Sequence, residues 1–323
     1  MALMSFAEAS SRAMAEEMRR DRTVWLLGED VRHGGVFAQY KGLMDEFGPS
    51  RVVDTPIAEA TIMGAGLGAA LVGTRPVIEM RIADFVMPAM DELVNQIAKA
   101  RYMFGGQARA AVVVRMPHGL LKGSAAQHSQ TIENWFVNLP GVVVVAPATA
   151  ADLAGAIKAA IRSDDPVILF DPKSHWKTVE DVPETVEPIT FGKAARRREG
   201  TDATLVTWSQ ALPAVLAAAD AAAERGRSIE VIDLVSLWPW DREAVAASVR
   251  KTGRLLIAQE GGVDGGFGSE VLATTLETVG PARLKAARRL GAPRIPVPFS
   301  PPLEALVTLT PERVTAALDA LMA

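Results

Sequence analysis

The sequence has 323 residues, 49% hydrophobic and 22% charged, with a formal net charge of -4 and no cysteine. That composition is ordinary for a globular chain of about two domains, and the lack of a broad basic field argues against a nucleic-acid partner. The missing thiols exclude disulfides, thiolate metal sites and a cysteine nucleophile together.

The N-terminal segment carries Glu8, Glu16 and Glu17. Acidic residues argue against a transit peptide, and no hydrophobic signal core is present, so a cytoplasmic chain is expected. Phe6, Ala9, Ala13, Met14 and Met18 recur at helical spacing and predict an amphipathic helix over 5–20. "TVWLLGED" follows as a short strand ending in a polar loop. "RPVIEM" (75–80), "AAVVVRMP" (110–117), "GVVVVAP" (141–147) and "PVILFD" (166–171) are further short apolar runs. They do not alternate, which suits strands of a parallel sheet buried on both faces. Helices are expected between them, over 58–72, 86–104, 129–138 and 150–163. The uncharged apolar run 61–73 is shorter than the ~18 residues of a membrane span. Strand and helix alternate, so the class is α/β.

"WKTVEDVPETVEP" (176–188) is polar with two prolines and reads as a linker or edge segment. A second α/β series follows. Its strands are expected at 203–208, 228–235 and 254–260, its helices at 211–225, 241–252 and 268–279. "RLKAARRLG" reads as a further strand and "PERVTAALDALM" as a terminal helix with Pro311 in its first turn. The boundary falls near 187, giving domains 1–187 and 188–323. "RRR" at 196–198 reads as a solvated strand end or turn.

Two glycine clusters invite a nucleotide-binding reading. Gly64, Gly66 and Gly68 lie within a helical run, follow no strand directly and lack the acid ~20 residues later. Close packing explains them. "QEGGVDGGFGSE" (259–270) does join a strand to a helix, but Val271 stands where the third glycine belongs. A turn or interface loop explains it better than a phosphate cradle. Neither ends in the GK[ST] of a P-loop, and no "GDG" occurs.

Two side chains stand out chemically. Glu59 is the only charge in "PIAEATIMGAGLGAALVG". At a helix start it gains from the macrodipole, so it either caps the helix or shares a proton with a ligand atom. His128, in "SAAQHSQ", ends a small-residue loop before a helix start with Ser129 as N-cap candidate. It is either a solvated histidine or one that meets substrate.

Taken together, "LLGEDV", "FGPSRVVDTPIAEA", "RPVIEM", "ADF", "NQIAKARYMFGG", "AAQHSQ", "APATAADLAGAIKAAIRSDDPVILF", "VIDLVSLWPWD", "KTGRLLIAQEG" and "PVPFSPPLE" form an ordered set. The set resembles the beta subunit of the thiamine-diphosphate-dependent decarboxylating component of 2-oxoacid dehydrogenase complexes. That group includes pyruvate, branched-chain and acetoin dehydrogenases. The resemblance covers nearly the whole chain. It implies a transketolase-like pyrimidine-binding domain with a parallel sheet over 1–187. A transketolase C-terminal α/β domain follows over 188–323, with subunit contacts and acyltransferase docking.

The resemblance also implies roles. Glu59 would hydrogen-bond the aminopyrimidine of thiamine diphosphate and favour its imino form. Phe85, in "ADF", would stack on that ring, or is otherwise a core phenylalanine. His128 would stand near the reacting carbon and polarise substrate or move a proton as the acyl group passes to a lipoyl arm. The absent "GDG" implies that diphosphate and magnesium (Mg2+) are held by an alpha subunit in an α2β2 assembly. The chain would then be active only with that alpha subunit, and would serve a lipoyl acyltransferase core. A monovalent cation (K+) would take carbonyls of Ala160, Ser163 and Asp165. The reaction would be decarboxylation of pyruvate or a branched-chain 2-oxoacid, or cleavage of acetoin.

"RYMFGG" and "PVPFSPPLE" lean toward acetoin-type members, "ENWF" toward pyruvate-type ones. Departures fall at Arg81, Ile82, Glu92 and Asn138, where the family often has other residues. Arg81 and Glu92 are expected to compensate each other's charge. Two other readings stand beside this one: an NAD-dependent α/β oxidoreductase using the 261–268 loop, and a non-catalytic assembly subunit.

Overall fold

The apolar runs that fail to alternate become parallel strands, as burial on both faces requires. The computed structural model describes residues 1–323. By contact the chain divides into two units: Met1–His118 with Trp135–Phe191, and Gly119–Asn134 with Gly192–Ala323.

In the first unit the strands lie side by side in the order Val143–Val145, Val167–Pro172, Val113–His118, Arg75–Glu79, Val24–Gly28, Val52–Asp54, all parallel. The helices Phe6–Arg20 and Ala150–Arg162 pack on each other, and their alanines and methionines fill one core. Ser5 starts the first helix with a reciprocal cap: the Glu8 amide donates to its hydroxyl and its own amide donates to the Glu8 carboxylate. The helix Glu59–Leu71 packs on the strand Arg75–Glu79. Gly66 makes that approach possible, since a Cβ there would stand 2.4 Å from Ile78 Cδ1. Gly64 and Gly68 lie on the exposed side.

One expected helix is broken up, and the linker-or-edge stretch takes its edge form. The helix predicted over 86–104 is a 3-10 turn at Ala83–Ala89, a π turn at Glu92–Ile97 and an α turn at Ala100–Met103. Pro88 inside the first of these has no amide hydrogen to donate, which interrupts regular α geometry. The polar stretch after Trp176 contains a strand, Val179–Val182, paired antiparallel with Ala2–Ser5.

The second unit holds a five-stranded sheet in the order Ala286–Ala292, Arg254–Gly262, Ala203–Thr207, Ile229–Asp233, Ala195–Arg198. Only the last strand is antiparallel. Both edge strands carry arginines, Arg196, Arg197 and Arg198 on one and Arg288 and Arg289 on the other. Asp241 and Thr310 cap the helices Arg242–Thr252 and Pro311–Met322 through their side-chain oxygens. No helix is long and apolar enough to cross a membrane.

Gly66→Ala should destabilise the chain by about 1–3 kcal/mol through overpacking. Adding Ile78→Val, which removes the colliding methyl, should recover part of the loss. Equal denaturant midpoints for the single and double variants would contradict this account of the helix–sheet contact.

Candidate active site

The parallel strands of the first unit end their apolar runs in charge. Gly28, Glu79 and Arg115 align in register, and Glu29, Asp171 and His118 lie at the same carboxyl edge. In open α/β sheets that edge is where ligands bind.

Beneath it lies a buried polar network. The Tyr40 hydroxyl donates to one oxygen of Glu79, and Gln39 Nε2 donates to the other at 3.1 Å. Arg115 donates twice to Asp171 Oδ2, from Nε at 3.0 Å and Nη2 at 2.8 Å, and both side chains are 0% exposed. The Arg115 guanidinium also lies 5.0 Å from the centre of the Tyr40 ring. Burial pushes the Glu79 pKa up to about 7, against the pull of Arg115 and the Tyr40 hydroxyl. Burial likewise raises Tyr40 and Asp171. Sequence reading passed over this network, although Glu79, Arg115 and Asp171 each show there as a charge inside an otherwise apolar run ("VIEM", "VVRMP", "ILFD").

Glu59 opens its helix, with Ala58 as an N-cap that offers no side-chain hydrogen bond. The carboxylate is half-buried and has no hydrogen-bond or ion-pair partner in this chain. Thr55, four residues earlier, also keeps a buried hydroxyl without a partner. The Glu59 helix packs against the turn Ala83–Ala89, which carries a half-buried Phe85. Glu29 lies in electrostatic reach: burial raises its pKa, Arg81 opposes this, and the charges of Glu59 and Asp30 add to the rise. Arg81 pairs with Asp30, and its Nη1 lies 3.8 Å from Glu29 Oε2. It does not pair with Glu92, which sits beside Gly64.

His128 belongs to the second unit. It is exposed, next to a buried Ser129 whose hydroxyl has no partner. Of the other histidines, His118 is buried; desolvation, with help from the charges of Lys173 and His175, brings its pKa down to about 3, so it stays neutral. The expected helix over 129–138 is confined to Glu133–Val137.

The carbonyls of Ala160, Ser163 and Asp165 each accept a hydrogen bond from within the chain: from the Ser163 amide, Arg75 Nη1 and the Ser163 hydroxyl. Three guanidinium groups reach this loop: Arg75, which also donates to Ile161 O at 3.0 Å and pairs with Asp164, Arg101, which pairs with Asp165, and Arg109, 3.4 Å from Asp164. No group of three histidine or carboxylate side chains could hold a metal ion.

In the 259–270 loop the glycines close around Gln259. Its Nε2 donates to Gly262 O at 2.6 Å, and its Oε1 accepts from the Gly268 amide at 2.8 Å. A Cβ at Gly266 would meet Gln259 at 2.1 Å. The first amide of the following helix is therefore satisfied by a side chain.

Comparison with known proteins matches two family models: the transketolase pyrimidine-binding domain over residues 2–178 and the transketolase C-terminal domain over 192–314. The chain is 40% identical to the 2-oxoisovalerate dehydrogenase subunit beta of Bacillus subtilis, covering 98% of both chains. It is 38% identical to the beta subunit of acetoin:2,6-dichlorophenolindophenol oxidoreductase from the same organism, covering 97% of this chain and 96% of that one. It is 41% identical to the pyruvate dehydrogenase E1 component subunit beta of Leifsonia xyli, covering 98% and 94%. Among solved structures it is similar to a split-gene transketolase described as an inactive beta4 tetramer, with a TM-score of 0.81, 26% identity and coverage of 99% and 98%.

Because the folded state, and not the unfolded one, keeps the Glu79 proton between the ordinary carboxylate pKa and about 7, stability should fall as pH rises across that interval and level off above it. Glu79→Gln cannot lose that proton. The melting temperature of the variant relative to the parent should therefore climb from pH 5 to pH 7.5. A difference that does not change with pH would refute a proton on Glu79.

Proposed function

Since the chain belongs to the family of beta subunits of thiamine-diphosphate-dependent 2-oxoacid and acetoin dehydrogenases, we propose that its first unit holds the aminopyrimidine of that cofactor. Glu59 keeps a shared proton at the ring nitrogen and Phe85 orients the ring. The observation that carries this is the half-buried Glu59 carboxylate at a helix start with no partner of its own. In a low-dielectric pocket a hydrogen bond to such a group is strong, and the spare Thr55 hydroxyl offers a second polar contact. When bound, the cofactor supplies a nucleophilic carbon and a store for the carbanion.

The chain contains no GDG sequence, so an alpha subunit in an α2β2 assembly holds the diphosphate and magnesium. Together the subunits decarboxylate a 2-oxoacid, pyruvate or branched-chain, or cleave acetoin. His128 moves a proton as the acyl group passes to the lipoyl arm of an acyltransferase core. The assembly works in the cytoplasm. Domain 1–187 binds the pyrimidine, and domain 188–323 carries subunit and acyltransferase contacts. An NAD-binding role finds less support, because Gln259 already satisfies the helix amide that a phosphate would need.

Glu59→Gln, assayed with the alpha subunit, should lower turnover by about a hundredfold or more while the assembly still elutes intact. Full turnover in that variant would favour the assembly-subunit reading instead. His128→Ala should slow transfer to lipoamide by at least about tenfold without weakening subunit binding. Parallel rates with pyruvate, branched-chain oxoacids and acetoin would decide the substrate.

A further inference from the structure

The segment that carries His128 is closed on itself and tied down by two acids far away in sequence. The Gly119 amide donates to Gln130 O at 3.1 Å, making residues 119–130 a closed surface loop. Its ends are packed, with Gly119 and Ser129 buried, but Lys122, Gly123, Gln127 and His128 are exposed, and Gly119, Gly123 and Ala125 take positive φ. Its backbone is anchored as well. The Leu120 amide donates to Glu260 Oε1 at 2.7 Å and the Gly123 amide to Glu304 Oε2 at 3.2 Å. Gln210 Nε2 bridges, donating to Leu120 O at 3.2 Å and to Glu260. Past the histidine, Trp208 Nε1 donates to Glu133 at 3.0 Å and Asn134 Nδ2 to Gly265 O at 3.0 Å. All of these groups belong to the second unit.

We infer that Glu260 and Glu304 are positioning residues for His128, holding the amides of Leu120 and Gly123 so that the loop presents the imidazole in one place. Carboxylates suit this task, because hydrogen bonds to a charged acceptor are about twice as strong as neutral ones. Glu304 is buried, so its acceptor is not diluted by water. Gly119 completes the arrangement: a Cβ there would stand 2.5 Å from Glu260 Oε2 and 2.6 Å from Gln210 Nε2. The inference rests on the acyl-transfer role proposed above for His128.

The test uses the assembled enzyme and lipoamide as acyl acceptor. Glu304→Ala, Glu260→Ala and Gly119→Ala should each lower kcat for transfer about tenfold or more, since small misplacement of a reacting group is costly, with KM for lipoamide within about threefold. Glu304→Gln, which keeps an acceptor oxygen, should recover most of the rate. Adding Glu304→Ala to His128→Ala should cost nothing further, because the acid acts through the histidine. Losses that add in the double variant would overturn the inference. So would a Glu304→Ala or Glu260→Ala enzyme that melts earlier but transfers at the parental rate. If His128→Ala alone leaves transfer unchanged, the role of His128 falls first, and the positioning role with it.

Discussion

Arg115 and Asp171 face each other with no contact with water, and the first unit is arranged around that fact. A buried pair that loses one member costs about 3–5 kcal/mol, so the two strands that bear them are fixed in register. Arg115 also lies against the Tyr40 ring, and Tyr40 donates to Glu79 on the neighbouring strand. The loop through residue 40 is thereby fastened to the sheet by polar contacts deep in the molecule. The next segments to leave that edge carry Asp30, Arg81 and Phe85. Their starting points are set by charges that have nowhere else to go.

The two units hold their chemical groups by different means. Glu59 stands on the first turn of a regular helix packed on a strand, so its backbone is placed by the sheet. His128 stands on an irregular loop held by amide-to-carboxylate hydrogen bonds. A group that shares a proton with a bound ring profits from a fixed frame. A group that must meet an incoming arm profits from an exposed one, provided its range of motion is limited. The division matches the roles proposed for the two residues.

Much of this was readable in the linear chain. The parallel strands announced themselves as short apolar runs without alternation, and Glu59 as a single charge in a dry stretch. Other features depend on distance in sequence. The strand Ala2–Ser5 finds its partner at Val179–Val182, a pairing that no local pattern records. The anchors of the His128 loop lie 140 and 181 residues away from the amides they accept. Proximity in sequence also misled: Arg81 and Glu92 look like a compensating pair, yet the turn between them sends Arg81 to Asp30 and Glu29. Pro88 was visible, but apolar periodicity alone still suggested one continuous helix where the backbone takes three kinds of turn.

The arginines on both outer strands of the second sheet have a further effect. An open strand edge offers unpaired amides and carbonyls to any similar edge it meets. Here the strand Ala195–Arg198 commits its arginines to acids of its own unit, Arg196 to Glu199, Arg197 to the buried Asp233 and Arg198 to Asp220. Long charged side chains on both outer strands, three of them already held by acids, blunt the sheet against extension by a second copy of the same edge.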